Sequence, residues 1–367
     1  MRGRTTTYHF WARNALFHGL SVLGLNSSDK VLVPAFHCGT VVEPVIQFGA
    51  EVVFYNIHRN GTVDFDDLAR KVDSQTKAII AIHYFGAIQP ISQLRSFCQQ
   101  HSLFLIEDCA HILLGDIEGE PVGSFGDISI FSWRKFFPIY DGGLLVQNKI
   151  SSQTNINWEK LDCWFQLKIA KNLLEKAVFD LVRPRRNLFS HQTSMSKKYE
   201  CSINQEEKVD NTPIRPTQAV DFDFSQVNWP MSRWSKAILN RIDIFSIVQK
   251  RKANSLFLFD AINSIANIQP WVTIEAQTVC SWAFPVVAST RKDIHVKLRE
   301  KGIEAFSWDG VIHPTLSLEE FPDAKFLYEH LILLPNQQSL TQQDMNLIIQ
   351  SLKEILQCQP SREQAIL

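Results

Sequence analysis

The chain lacks a surplus of either charge: 37 Lys and Arg face 38 Asp and Glu in 367 residues, a formal net charge of −1. Binding to phosphate backbones needs a basic excess, so no nucleic-acid partner is expected. Cysteine is sparse and scattered. The seven (Cys38, Cys98, Cys109, Cys163, Cys201, Cys280 and Cys358) form no C-x-x-C pair. That argues against a disulfide framework and a structural zinc site, and for reduced, cytoplasmic usage with no metal. No uninterrupted apolar run reaches the roughly 18 residues of a membrane span, and Met1-Arg2-Gly3-Arg4-Thr5 leads into no apolar signal segment. Glycine and proline, at 15 each, are too few for collagen-like or low-complexity classes.

What is present is enough apolar material for a sizeable core, 45% of residues, arranged in regular alternation over the first 150 positions. Short apolar runs at 31–33, 52–55, 78–82, 103–106, 128–131 and 144–146 read as strands. Helical patterns at 15–25, 41–48, 64–72 and 91–100 separate the earlier ones. Pro44 is placed in the first turn of its helix, where proline is tolerated. Strands apolar on both faces and spaced by helices predict an α/β fold with a mostly parallel sheet. Ligands of such sheets bind past the carboxyl ends of the strands, which directs attention to 34–39, 83–86, 107–111 and 132–143. Residues 158–182 and 234–261 read as helices, 187–226 as polar loop, and the last hundred residues as a small α+β unit.

Chemistry concentrates at those strand ends. The series runs Glu107-Asp108-Cys109-Ala110-His111, Val122-Gly123-Ser124-Phe125-Gly126-Asp127, Phe131-Ser132-Trp133-Arg134-Lys135 and Asp141-Gly142-Gly143. Asp108 ends a buried strand, where a carboxylate needs a cationic partner; a protonated pyridine nitrogen would serve. Capping the next turn is its alternative role. Lys135 follows a second strand at the same edge. Arg134 beside it and Phe136, Phe137 and Pro138 after it favour a lowered amine pKa and Schiff-base chemistry.

Together these pieces resemble the DegT/DnrJ/StrS family of aminotransferases, fold type I enzymes dependent on pyridoxal 5'-phosphate that act mainly on keto-sugars linked to nucleotides. The resemblance runs from about Phe10 to Gly143, returns near Asn228, and appears again in the C-terminal third. It implies a pyridoxal-phosphate-binding large domain over 1–150, an inserted helical and loop segment over 151–227, and a small C-terminal α+β domain with its linking helix over 228–367. It implies Lys135 as Schiff-base lysine and acid/base, Asp108 beside the pyridine nitrogen, and His111 near the phenolic oxygen. Ala110 and Cys38 would lie on the two ring faces, and Arg13, Asn14 and Ser132 at the phosphate. Asn228, in Asn228-Trp229-Pro230-Met231, would reach the phosphate of a neighbouring subunit, hence a homodimer with shared sites. The expected partners are an amino-acid donor, glutamate or glutamine, and a keto-sugar or similar acceptor. A non-catalytic homologue acting in binding or assembly is the alternative.

Bland roles stand beside these: a structural histidine for His111, a small buried residue for Cys38, a surface charge for Arg13. The sequence also departs from the family. Trp11-Ala12-Arg13-Asn14 replaces the usual S-G-T turn about a dozen residues into the chain, and Lys135 follows Ser132 by three positions rather than five. Pro230 replaces an Arg, and Leu334-Pro335-Asn336-Gln337 ends in Gln where the family has His. Residues 160–200 hold nine Lys or Arg against four acids. A basic amphipathic helix over 158–186 has the composition of a membrane-surface element; packing on the protein or across a dimer is the commoner fate of such a face.

Overall fold

The computed structural model describes residues 4–149, 156–182, 222–273, 279–289 and 293–357. Pro213, Pro216 and the basic residues from Arg183 to Lys198 lie outside them, and with them most of the expected 187–226 loop.

The larger sheet has seven strands in the order β1-β9-β8-β5-β4-β2-β3. They are β1 (Thr5–His9), β2 (Lys30–Pro34), β3 (Glu51–Tyr55), β4 (Thr76–Ile82), β5 (Phe104–Asp108), β8 (Ile128–Ser132) and β9 (Gly143–Gln147). Strands β8, β5, β4, β2 and β3 pair in parallel; β9 runs against both β8 and β1. A small hairpin, β6 (Asp116–Ile117) and β7 (Glu120–Pro121), stands apart. Crossovers through α1 (Ala12–Val22), α2 (Gly39–Phe48), α3 (Phe65–Lys71) and α4 (Ile91–Gln100) cover the sheet, so strands such as Val31-Leu32-Val33 and Ile79-Ile80 are wholly buried. The consequence for function is one of direction. The segments after β1, β2, β4, β5 and β8 all emerge at the same edge.

The second sheet is antiparallel, ordered β10-β11-β13-β12, from β10 (Ile268–Pro270), β11 (Phe284–Ala288), β12 (Phe306–Ser307) and β13 (Leu331–Leu334). Its own core includes Val286, Ile332, Leu334, Ile348 and Leu352. The remaining helices are α5 (Cys163–Val182), α6 (Arg233–Leu239), α7 (Ile244–Ile262), α8 (Ile294–Glu300), α9 (Pro322–His330) and α10 (Gln342–Gln357). Among the described residues no helix is long and apolar enough to cross a membrane.

Three local expectations are corrected. Helix α2 begins at Gly39, so Pro44 is its sixth residue rather than a first-turn one. The helix expected over 234–261 is two, because Asp243 accepts a bond from Ser246 N at 3.1 Å and starts a new helix after the turn at Asn240. Helix α5 starts at Cys163 rather than Trp158, since Asp162 takes the cap by accepting from Phe165 N at 2.6 Å. Strand β1 is an addition: Thr5-Thr6-Thr7-Tyr8 has high strand propensity but no apolar signature, as suits an edge.

The start of α1 lies directly on β9. A Cβ on Gly143 would sit 2.2 Å from the Trp11 carbonyl carbon and 2.5 Å from Ala12 N. Only a residue without a side chain permits that approach. Gly143→Ala is therefore expected to lower stability by about 3 kcal/mol or more, read as a fall in the urea unfolding midpoint. An unchanged midpoint would contradict the packing described.

Candidate active site

The common edge of the large sheet is organised by Glu107, a fully buried carboxylate. Its Oε1 accepts from Phe125 N at 2.7 Å and Gly126 N at 2.5 Å, and its Oε2 faces His83 Nε2 at 3.1 Å. Gln89 N donates to His83 Nδ1 at 3.2 Å, so Nε2 carries the proton and donates to Glu107. Asp127 accepts from Leu105 N at 2.8 Å and pairs with Arg95 at 2.9 Å. The E-D and V-G-x-x-G-D motifs are thus one bracket joining the ends of β4 and β5 to the start of β8.

Asp108 follows Glu107 and so faces the opposite side of the strand. One carboxylate oxygen accepts from Ala110 N at 2.8 Å, the turn-capping role. Burial pushes the Asp108 carboxyl above its ordinary range; the Ala110 bond, Lys135 and His83 act the other way. Lys135 ends the short 3-10 turn after β8. Burial lowers its amine from 10.5 to about 8, with Cys38 and Asp108 opposing the shift and Arg134 and Arg13 adding to it. Asp108, Cys38 and Arg13 thus lie within electrostatic reach of one amine.

His111 is buried and held neutral, first by burial and then by Lys135. Its ring stacks on Phe85 at 4.2 Å and lies 5.7 Å from Trp282, with Trp308 edge-on at 5.3 Å. Its Nδ1 is buried with no hydrogen-bond partner among the described residues. Trp282 also lies under the Lys135 amine, 5.1 Å from Nζ. Cys38 caps α2 at the end of the Pro34–Cys38 turn. That turn is pinned from two sides. Tyr84 donates to the Phe36 carbonyl, and Tyr328 accepts from His37 N at 2.8 Å. His37 Nε2 accepts from His313 N at 3.4 Å, and His313 in turn meets Glu43 at 3.0 Å.

The remaining expected residues occupy definite places. Arg13 and Arg134 flank the Trp11 ring at 5.9 and 4.5 Å. Ser132 is buried at the end of β8. Asn14 is buried too, its amide donating to the Gln226 carbonyl at 2.6 Å. Asn228 is half-buried; its amide meets Glu159 at 3.5 Å within its own chain. In the L-P-x-H remnant, Asn336 meets the buried Arg251 at 3.0 Å, and Arg251 also holds the Trp282 carbonyl at 3.1 Å.

Glu107, Phe85, Trp282 and Trp308 were not singled out from sequence. Glu107 lay inside a quoted motif, and Phe85 within a flagged strand end, where its φ of 47° is unusual for a non-glycine residue. Trp282 and Trp308 come from the second sheet's domain, with no spacing to mark them.

Known proteins resemble this chain in sequence and fold. Residues 12–158 match the family described as DegT/DnrJ/EryC1/StrS aminotransferases. The chain is 39% identical over 137 residues to GDP-perosamine synthase of Vibrio cholerae, covering 36% of this chain and 37% of that protein. It is 35% identical over 140 residues to a UDP-N-acetyl-3-dehydro-alpha-D-glucosamine 3-aminotransferase of Acidithiobacillus ferrooxidans, with the same shares covered. The matched stretch therefore spans little more than a third of these relatives. The fold extends further. A Streptococcus pneumoniae protein described as a sugar aminotransferase and solved in its PLP form superposes with a TM-score of 0.65 at 18% identity, over 96% of this chain and 87% of that one. The chain has the fold of the PLP-dependent aminotransferases.

The depressed amine has a direct readout. In competitive acetylation followed by peptide mass analysis, Lys135 is expected to gain reactivity through a midpoint of about 8. Exposed Lys325, whose amine Glu319 raises, is expected to titrate well above it. The folded amine holds fewer protons than the unfolded one between about 8 and 10.5, so its contribution to stability grows as pH climbs through that window. A Lys135 midpoint coinciding with that of surface lysines would refute the burial argument.

Proposed function

We propose that this chain is an aminotransferase that uses pyridoxal 5'-phosphate to move an amino group from glutamate or glutamine to a keto-sugar carried on a nucleotide. The observation that carries this reading is the pairing of Lys135, an amine softened to about 8, with the buried Asp108 carboxylate at one sheet edge. The donor set fits the cofactor: a carboxylate for the ring nitrogen, a primary amine for the aldehyde, and a buried His111 Nδ1, without a hydrogen-bond partner among the described residues, for a polar ring substituent. Asp108, His111, Ala110 and Cys38 would hold the ring; Arg13, Asn14, Ser132 and the amides at the start of α1 would hold the phosphate. Asn228 would serve a second copy, making the active form a homodimer. The GDP- and UDP-linked names of the relatives support a nucleotide-sugar acceptor, and the cysteine pattern supports a cytoplasmic setting.

When bound, the cofactor supplies an electron sink that stabilises negative charge at the substrate carbon. The protein supplies the rest. Asp108 would hold the ring nitrogen, whose positive charge would offset the burial that raises its carboxyl. Lys135 Nζ would remove a proton from the donor carbon in one half-reaction and deliver a proton to the acceptor carbon in the other, a task suited to an amine that titrates near neutral pH. The aromatic wall of Phe85, Trp282 and Trp308 packs round the buried His111. The neutral His111 ring holds its place without adding a competing positive charge.

Incubation with pyridoxal phosphate, borohydride reduction and peptide mapping are expected to place the label on Lys135. Lys135→Ala is expected to lose both the label and the visible absorbance that added pyridoxal phosphate gives the wild type, and its transamination rate to fall by roughly 10²–10⁴ or more. Asp108→Asn should retain the label while the half-reaction with glutamate or glutamine slows. Absence of any label on wild-type Lys135 would refute the proposal and favour a non-catalytic, binding role.

A further inference from the structure

The second sheet's domain grips the reactive edge at two separate places. Residues 280–282, just before β11, run antiparallel to 111–114. Trp282 N donates to the His111 carbonyl at 2.9 Å, Leu113 N to the Cys280 carbonyl at 2.9 Å, and Cys280 N to the Leu114 carbonyl at 2.7 Å. That domain is thereby registered against the segment that carries His111. It reaches Lys135 by another route. Gln338, shortly after β13, donates from Nε2 to the Phe136 carbonyl at 3.0 Å, and Phe136 directly follows Lys135.

Arg251, on α7, joins the two routes. Its Nε donates to Gln338 Oε1 at 2.7 Å. One terminal nitrogen donates to the Trp282 carbonyl at 3.1 Å, to Asn336 Oδ1 at 3.0 Å and to the Ser281 carbonyl at 3.4 Å. A guanidinium is planar and directs its donors along fixed lines, so one side chain can hold several acceptors in register. A circuit of hydrogen bonds therefore runs from the His111 backbone through Trp282, Arg251 and Gln338 to the backbone beside Lys135. The Trp282 ring lies 5.1 Å from Lys135 Nζ, so the same cation also holds the ring beneath the amine.

Every one of these acceptors is a neutral oxygen, and Arg251 is only 2% exposed. Burying a cation without a carboxylate is costly. An apolar residue of similar size at 251 would avoid that cost, so stability alone does not account for an arginine there. The groups that act directly on the Lys135 amine are Cys38, Asp108, Arg134 and Arg13. Arg251 bears on it through the chain it holds.

We propose that Arg251 and Gln338 are positioning residues, which seat the Lys135 amine over the Trp282 ring and fix its separation from His111. The inference rests on the reading of Lys135 as the reactive amine, but its test needs no cofactor.

The test is the titration midpoint of Lys135 in the full-length protein without added pyridoxal phosphate, read by competitive acetylation with Lys325 as internal reference. Gln338→Leu removes the bond to Phe136 and the acceptor of Arg251 Nε at similar volume. Freed from the circuit, the amine gains water, and burial is the largest cause of its lowered value. Its midpoint is expected to climb from about 8 to about 9 or above. Arg251→Lys keeps a cation but loses the fork, and is expected to raise the midpoint likewise. A merely structural role would lower the unfolding temperature of Gln338→Leu and leave Lys135 at about 8; that result would overturn the proposal. So would an unmoved midpoint in Arg251→Lys, which would assign the effect to charge rather than position. Failure of wild-type Lys135 to take the pyridoxal label would remove the proposed reaction and leave these midpoints to decide the circuit on their own.

Discussion

A single buried carboxylate organises the reactive edge of this molecule. Glu107 accepts from His83 and from two backbone amides, which replace in the interior the hydrogen bonds it would otherwise make to water. Buried charges persist only where hydrogen bonds replace the lost water. Here the replacement groups come from two separate segments, at 83 and 125–126, and satisfying one side chain fixes their positions relative to β5. The residue beside Glu107 is Asp108. Strand alternation turns it to the other face, so the position of a chemically useful carboxylate follows from the hydrogen bonding of a structural one.

The two sheets meet at the same place. The large one supplies Asp108, His111 and Lys135. The small one supplies Trp282 just before β11 and Trp308 just after β12, which close round His111. Arg251 stabilises this wall from behind. It is nearly fully buried, its guanidinium lowered to about 10 by that burial, and it holds the Trp282 carbonyl while lying 5.2 Å from the Phe136 ring. Phe136 is the next residue after Lys135. One cation thus adjusts both the aromatic floor under the amine and the backbone that carries it.

Much of this was legible before any coordinates. The parallel sheet announced itself in apolar runs such as Ala78-Ile79-Ile80-Ala81-Ile82, because strands buried on both faces have no room for polar residues. Asp108 and Lys135 were legible because strand ends are where such sheets bind ligands, and two oppositely charged groups there are hard to explain otherwise. What stayed hidden depended on partners distant in sequence. Trp282 reaches Lys135 across nearly 150 positions, and no periodicity records such a contact. The break after Asn240 was missed because Asp243 caps a new helix inside an otherwise helical pattern. The roles of Glu43, His37 and His313 emerge only from their bonds, since each residue alone reads as an ordinary polar side chain.

The hydrogen bond from Glu159 N to the Asn228 carbonyl, at 3.1 Å, has a topological meaning. Trp158 leans on His9, and Val227 holds His18, so the chain departs from and returns to one point beside β1 and α1. Everything between is a closed excursion. Closing such a loop costs little more as it lengthens, about 0.6 kcal/mol per doubling. The cost of closing the loop at that junction is therefore nearly indifferent to how much chain lies within it, even though Phe165 and Gln226, near its two ends, are seated on Phe10 and Asn14 of the body.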